Sequence, residues 1–301
     1  MRDQRKWEMP WTMEDVAEAD LFEQELFGES PWIDPERYHA RENLLTEVPI
    51  GDENRVQVRA RARNPSTRLF PFNTICLVER GKLPSGSARR NGTGNLLGPQ
   101  VMLTAGHVLT KGLGGPLLDE VKITPGADFD STTTSDRTPA NPTHQVVPKS
   151  RLRLHATLDL GLAFMPRAFT RPSRFMMLQP RGGRNTATLL TIAGYPNERP
   201  GTGERILGLC YRHSDRLAVT GVTATRLQYN IDTSSGQSGS PLWLLGNNSI
   251  RLQLGVHTNA GNFGVRITCA VIDWIESACR SFSVTGPVVD RVQQRRVCRS
   301  S

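Results

Sequence analysis

"DTSSGQSGSPLW", residues 232–243, sets Ser238 among Gly236, Gln237 and Gly239, beside further hydroxylated residues, and runs directly into an apolar segment. Small residues let a backbone turn tightly with its amides bare, and bare amides can hold a negative charge that develops beside a serine. The bland reading is a Ser/Gly-rich turn before a strand, and the stretch alone does not choose between the two. The choice depends on what else the chain offers Ser238.

A serine hydroxyl is a poor nucleophile until a base takes its proton, and that base needs a third group to fix its tautomer. The chain has six histidines. His107 closes "VMLTAGHVL" (101–109), where an apolar strand ends in Thr-Ala-Gly and a turn begins, a place that presents a side chain at a cleft. Asp159 stands in "LHATLDLGLAF" (154–164), at the mouth of an apolar strand. Buried without a partner it would cost several kcal/mol, on the order of a lost buried polar group or more, and His107 would remove that objection. The order His, Asp, Ser excludes the nucleophile elbow of α/β-hydrolases, which runs Ser, acid, His and needs Gly two residues after the serine; position 240 is Ser.

The rest of the chain fits a β-rich frame. From residue 55 onward, short alternating or apolar runs such as "RVQVRAR", "NTICLVE", "TLLTIAGY", "RILGLCYR", "PLWLL" and "RLQLGVHT" are bounded by Gly, Pro and Asn. That spacing predicts an all-β sandwich or a pair of barrels. A Pro/Gly/Arg-rich segment, 166–186, is placed to join two halves. One helix is expected at about 270–282, capped by Thr268, because Ile272, Ile275, Cys279 and Phe282 recur at three and four residues. The basic tail, 286–301, has no apolar period and reads as a solvated end.

Composition narrows the classes. The 301 residues carry a net charge of +8, divided unevenly: residues 1–47 hold 13 Asp+Glu and 5 Lys+Arg, so an acidic leader precedes a basic body. The leader contains one short amphipathic stretch, "MEDVAEADLFEQELFGE" (13–29), followed by Pro31 and Pro35. Single, scattered arginines without aromatic interleaving argue against nucleic acid as a partner. No window is apolar enough to span a membrane, and the charged first residues do not suit a Sec-type signal. Five cysteines lie far apart with no CxxC pair, so no zinc site, metal or cofactor is expected, and at least one cysteine must be unpaired within the chain.

"LTAGHVL" (103–109), "LDLGLAF" (158–164) and "GQSGSP" (236–241) resemble the three catalytic segments of chymotrypsin-fold serine proteases. "NIDTSSGQSGSPLW" (230–243) and "GVHTNAGNFGVRIT" (255–268) resemble more narrowly the glutamyl endopeptidase, or V8-like, branch, and "IGDENRVQV" (50–58) is similar to the start of its mature enzymes. The resemblance covers roughly residues 48–282. It implies an all-β fold of two six-stranded antiparallel barrels, about 48–165 and 180–270, with a C-terminal helix and an N-terminal pro-segment. It implies a catalytic triad of His107, Asp159 and Ser238 and an oxyanion hole from the amides of Gly236 and Ser238.

Thr233 and His257 match the branch's positions for an acidic P1 side chain, so cleavage after Glu, then Asp, is expected on protein or peptide substrates with acidic residues. Glu47 immediately precedes Val48, so an enzyme cutting after Glu could release Val48 itself, and in the family the freed α-amine helps bind the P1 carboxylate. Gln237 stands where trypsin-like enzymes carry the Asp that pairs with such an amine, and the disulfide that often brackets the histidine is missing. A monomer is expected. The resemblance points to secretion, against the missing export signal, with a cytoplasmic protein as the alternative. The competing functions are a protease-fold binding module without turnover and a basic binder of polyanions or nucleic acid.

Overall fold

The structure is a computed structural model and describes residues 55–58, 67–80, 91–112, 114–128, 144–180, 190–203, 206, 208–215, 219–245, 250–259 and 262–298. The acidic leader, which ends at Glu47, and Val48 after it lie outside the described residues.

Two sheets carry the fold. The first contains β2 (Ile75–Arg80), β3 (Asn91–Gly98), β4 (Val101–Thr104), β5 (Glu120–Pro125), β6 (Gln145–Pro148), β7 (Leu152–Leu154) and β8 (Gly161–Phe164), in the order β6-β5-β2-β3-β4-β8-β7, all antiparallel. The second contains β1 (Val56–Val58), β9 (Met177–Leu178), β10 (Leu190–Gly194), β11 (Cys210–Asp215), β12 (Val219–Val222), β13 (Arg226–Tyr229), β14 (Pro241–Leu245), β15 (Arg251–Asn259) and β16 (Phe263–Arg266). Its order is β1-β11-β10-β14-β15-β16-β13-β12, antiparallel apart from the short β9, which joins β15 in parallel. Among the described residues the sheets hold seven and nine strands, where six each were expected.

The chain passes from the first sheet to the second between β8 and β9, with one exception. The strand at 56–58, expected in the first half, crosses to the second: Val56 pairs with Arg212 and Val58 with Cys210. Val58 gains a fully buried place there, beside Ala193, Tyr195 and Trp243, and burying such a side chain is worth about 1.5–3 kcal/mol.

The apolar runs follow from strands buried on both faces. In β2, Cys76 and Val78 point into the core of the first sheet, whereas Ile75 and Leu77 pack against Ala193, Tyr195 and Trp243 of the second. In β4, Met102 enters the first core while Val101 and Leu103 meet Val256, Val265 and Ile267. The two-residue period of a strand sends alternate side chains to different cores, so nearly every position is apolar.

β3, "NGTGNLLG", breaks that composition although it is buried throughout. Gly92 and Gly94 face the first core with no room for a side chain: an added Cβ would lie 2.6 Å from Val108 and 2.4 Å from the sulfur of Met102. The alternate residues form a polar seam to the second sheet. Asn91 donates to the carbonyl of Tyr195 (3.1 Å), Thr93 to that of Gly236 (2.9 Å), and Asn95 to the side-chain oxygen of Gln253 (2.9 Å). Buried polar groups must find partners, and these find them across the interface.

Helix α1 (Cys269–Ser281) begins as expected, with the Thr268 hydroxyl accepting from the N–H of Val271 at 3.3 Å. Val271, Ile272, Ile275 and Cys279 are buried among Leu97, Leu160 and Phe164. The tail departs from a solvated end. Val289 packs into that same cluster, residues Arg291–Val297 form α2, a disulfide joins Cys269 to Cys298, and Arg291 pairs with Glu276 at 2.5 Å. Four valines, Val288, Val289, Val292 and Val297, and a cysteine give no helical period, so the sequence hid a segment held by a disulfide, an ion pair and backbone bonds to Leu178 of β9. Cys76, Cys210 and Cys279 are buried thiols.

Candidate active site

β4 ends at Thr104, and Ala105 leads into a single 3-10 turn, Gly106–Leu109, that contains His107. β8 starts at Gly161, two residues after Asp159, and pairs with β4 so that Thr104 faces Gly161. This pairing puts the histidine turn against the aspartate. Oδ2 of Asp159 lies 2.7 Å from Nδ1 of His107, and Oδ1 accepts the backbone N–H of His107 at 2.8 Å. Gly106 eases this approach: a Cβ would stand 3.0 Å from Oδ1 and 3.2 Å from the carbonyl of Leu160, so a side chain there would push these groups back by a few tenths of an ångström.

Burial pushes the Asp159 carboxyl up, but the opposing charge and hydrogen bonds of His107, with the N–H groups of His107 and Gly106, outweigh it and hold the acid below its usual range. An ionised carboxylate on Nδ1 keeps a proton on that nitrogen and leaves the lone pair on Nε2.

Ser238 reaches the same region from the second sheet. Its carbonyl accepts the N–H of Thr93 at 2.8 Å, and the hydroxyl of Thr104, three residues before His107, bonds the carbonyl of Thr93 at 2.6 Å. Gly239 fits between them at φ +89°, where a Cβ would lie 1.9 Å from the oxygen of Thr93 and 2.2 Å from that of Thr104. Gly236, at φ +93°, would drive a Cβ to 2.5 Å from the carbonyl of Tyr195. Both positions therefore require glycine. Among the described residues, no backbone hydrogen bond uses the N–H of Gly236 or Ser238.

His257 adjoins the serine turn through its main chain: its carbonyl accepts from Gly239 (2.7 Å) and its N–H donates to Ser240 (2.9 Å). Its ring is fully buried, with Nδ1 bonded to the hydroxyl of Tyr229. Burial first, then the nearby His107, lowers its pKa to about 3 against weaker upward pulls from Phe263 and Asp159, so the imidazole is neutral. Thr233 donates its hydroxyl to Oδ1 of Asn262 at 2.7 Å, and the carbonyl of Asn262 accepts from the N–H of Tyr229 at 3.1 Å. Thr233, Asn262, Tyr229 and His257 thus form one network. Val48, the third expected member of the P1 site, lies outside the described residues.

Sequence reading missed several members of the site. Tyr229 and Asn262 belong to a strand pattern and a turn, with nothing to mark them before the strands are paired. Asp232 is buried, its N–H bonds Nδ1 of His213 at 3.0 Å, and its Oδ2 lies 3.4 Å from that nitrogen. Its place directly before Thr233 was the only signal available. Arg55 was also missed; its guanidinium contacts Ser234 and Gln237.

Two antiparallel sheets with a carboxylate–imidazole pair from one and a glycine-flanked serine from the other define a serine-type endopeptidase of the chymotrypsin-like fold. The chain belongs to the family described as the trypsin-like peptidase domain, whose model matches residues 92–249. It is 26% identical over 243 residues to the glutamyl endopeptidase of Bacillus licheniformis, a match covering 76% of this chain and 69% of that protein. A solved structure of a Glu endopeptidase in complex with MPD superposes with a TM-score of 0.56 at 24% identity, covering 77% of this chain and 99% of that one.

Proposed function

We propose that His107, Asp159 and Ser238 are the catalytic triad of this peptidase, and that it cleaves after glutamate and, less readily, aspartate. Nε2 of His107 takes the Ser238 proton as Oγ attacks the peptide carbonyl, then gives it to the leaving amine. A water, deprotonated by the same nitrogen, hydrolyses the acyl-enzyme. The N–H groups of Gly236 and Ser238 receive the oxyanion, each such donor being worth about 2.7–4 kcal/mol in a comparable hole.

The observation that carries the glutamate preference is His257: a buried, neutral imidazole fixed by main-chain bonds to Gly239 and Ser240, in one network with Thr233. A carboxylate entering a partly dry pocket loses hydration worth several kcal/mol, roughly the cost of burying an ion, and needs donors in return. The Tyr229 hydroxyl lies within reach of both Nδ1 and the carbonyl of Phe263 (3.2 Å); when its proton turns to Nδ1, the ring's own proton sits on Nε2 and is a donor. The Thr233 hydroxyl supplies a second by turning from Asn262. The relative from B. licheniformis, a glutamyl endopeptidase by name, supports the same preference. The test is the ratio of cleavage after Glu to cleavage after Gln in a peptide library. His257→Ala should collapse that ratio, and an unchanged ratio would remove His257 from the pocket.

The leader makes the protein a zymogen in this reading, matured by cutting between Glu47 and Val48. Arg55 touches Ser234, next to Thr233, and the seven residue steps from Val48 to Arg55 can span up to about 23 Å, enough for the α-amine of Val48 to approach the P1 site. Purified Glu47→Gln protein should not mature at that bond; maturation there at the wild-type rate rules out self-processing.

A further inference from the structure

Residues 234–237 form a turn closed twice. The N–H of Gln237 donates to the carbonyl of Ser234 at 3.0 Å, and the side-chain oxygen of Gln237 accepts the N–H of Ser234 at 2.9 Å. Gln237 is fully buried, and it stands between Gly236 and Ser238, the two residues whose N–H groups face the developing oxyanion. The orientation of those two peptides therefore depends on how Gln237 is held.

Arg55 holds it from another part of the chain. One guanidinium nitrogen, Nη1, donates to the side-chain oxygen of Gln237 at 3.2 Å and to the hydroxyl of Ser234. Arg55 precedes β1, whose pairing with β11 fixes its approach: Val56 lies opposite Arg212, so the antiparallel register carries Arg55 towards His213. His213 in turn accepts the N–H of Asp232, two residues before Ser234. The serine loop is thus gripped by a buried imidazole at its start and by a cation over its turn, both from the β1–β11 pair.

We propose that Arg55 is a positioning residue for the oxyanion hole, locking the 234–237 turn so that the N–H groups of Gly236 and Ser238 converge. The proposal rests on Ser238 being the nucleophile. A charged donor is suited to the task because its hydrogen bonds to neutral acceptors are roughly twice as strong as neutral ones, and because the turn contains one positive-φ glycine, Gly236, and is followed by another, Gly239, both with little stiffness of their own. Since the turn matters when charge develops on the carbonyl oxygen, loss of the clamp should fall on turnover more than on substrate binding.

The test compares Arg55→Met, which keeps the aliphatic stem and removes every donor, with Arg55→Lys, using the full chain and whichever peptide the wild-type enzyme cleaves. Arg55→Met should lower kcat about 10- to 100-fold, the range expected for one or two charge-assisted hydrogen bonds, with KM changed less than about threefold. Arg55→Lys should lose less, about 3- to 10-fold, because an ammonium lacks the planar fork. Guanidinium ion added below denaturing concentration should restore part of the Arg55→Met activity. Wild-type kcat in Arg55→Met overturns the proposal, as does a loss that neither Arg55→Lys nor guanidinium relieves. Should Arg55→Met not fold, wild-type kcat in Arg55→Lys overturns it. Ser238→Ala, run alongside, separates the two readings: activity surviving there removes the nucleophile itself, whereas an inactive Ser238→Ala with fully active Arg55 variants removes only the clamp.

Discussion

Asp159→Asn changes the chemistry of the site while sparing its shape. The asparagine oxygen can still accept the N–H of His107, now bonded at 2.8 Å, so the histidine turn keeps its anchor. The other position, 2.7 Å from Nδ1, becomes an amide NH2 where a carboxylate oxygen stood. A donor there demands a lone pair on Nδ1 and moves the ring proton to Nε2, so that the nitrogen proposed as the base can no longer accept the Ser238 proton. In a comparable triad this tautomer reversal costs about four orders of magnitude in kcat, or about 5 kcal/mol of transition-state stabilisation.

The assay is kcat on a chromogenic peptide, with thermal melting as a control. The variant should melt near the wild-type temperature at neutral pH and react with a fluorophosphonate probe orders of magnitude more slowly. Acid should also affect the two proteins differently. Asp159 is held below its usual range in the folded state, so its contribution to stability is present above the unfolded value and fades as pH falls through the folded one. The asparagine variant lacks that component of acid unfolding. A kcat within tenfold of wild type would refute Asp159 as the group that sets the tautomer.

Three further outcomes follow from the geometry. His257, lowered to about 3 when folded from an ordinary value near 6.5, resists protonation in the native state while the unfolded chain accepts it; stability should therefore fall as pH drops from about 6.5 towards 3, by up to roughly 5 kcal/mol, and His257→Gln should flatten the melting temperature over that window. Cys298→Ser opens a loop of 29 residues' separation and should cost about 3–4 kcal/mol by chain entropy, read as a lower melting temperature with peptide hydrolysis retained at room temperature. Gly239→Ala places a Cβ 1.9 Å from a backbone oxygen at φ +89° and should yield no active enzyme by the fluorophosphonate assay, since neither β3 nor the serine turn can move away without breaking the Thr93–Ser238 bond.

The catalytic segments were legible in the sequence because each combines a chemical group with local geometry that composition reveals: a histidine after an apolar strand, an acid before one, a serine among glycines. β3 was not. "NGTGNLLG" has the residues of a loop, and only the approach of two cores explains them, glycines where the first core is tight and Asn or Thr where the second sheet supplies partners. β1 was visible as a strand, but its sheet was not, since alternation says which face is buried and nothing about the neighbour. The tail failed for a related reason. A disulfide, the Arg291–Glu276 pair, backbone bonds to Leu178 and one buried valine hold it, and none of these leaves a period to count.

The residues that reading missed cluster around the serine turn, and the cause is physical. Three strands distant in sequence meet there: β3 through the Thr93–Ser238 and Thr93–Gly236 bonds, β15 through the bonds of His257 to Gly239 and Ser240, and β1 through Arg55. Each grip uses backbone or a single polar side chain, so none imposes a pattern on its own strand. The turn needs all three because its glycines adopt conformations that its own sequence does not favour over others. An oxyanion hole that must be rigid when charge appears cannot be built from a local motif of flexible residues. On the proposed assignment of the hole to Gly236 and Ser238, its stiffness comes from the interface between the sheets, and polar substitutions in β3 should therefore register in kcat as well as in melting temperature.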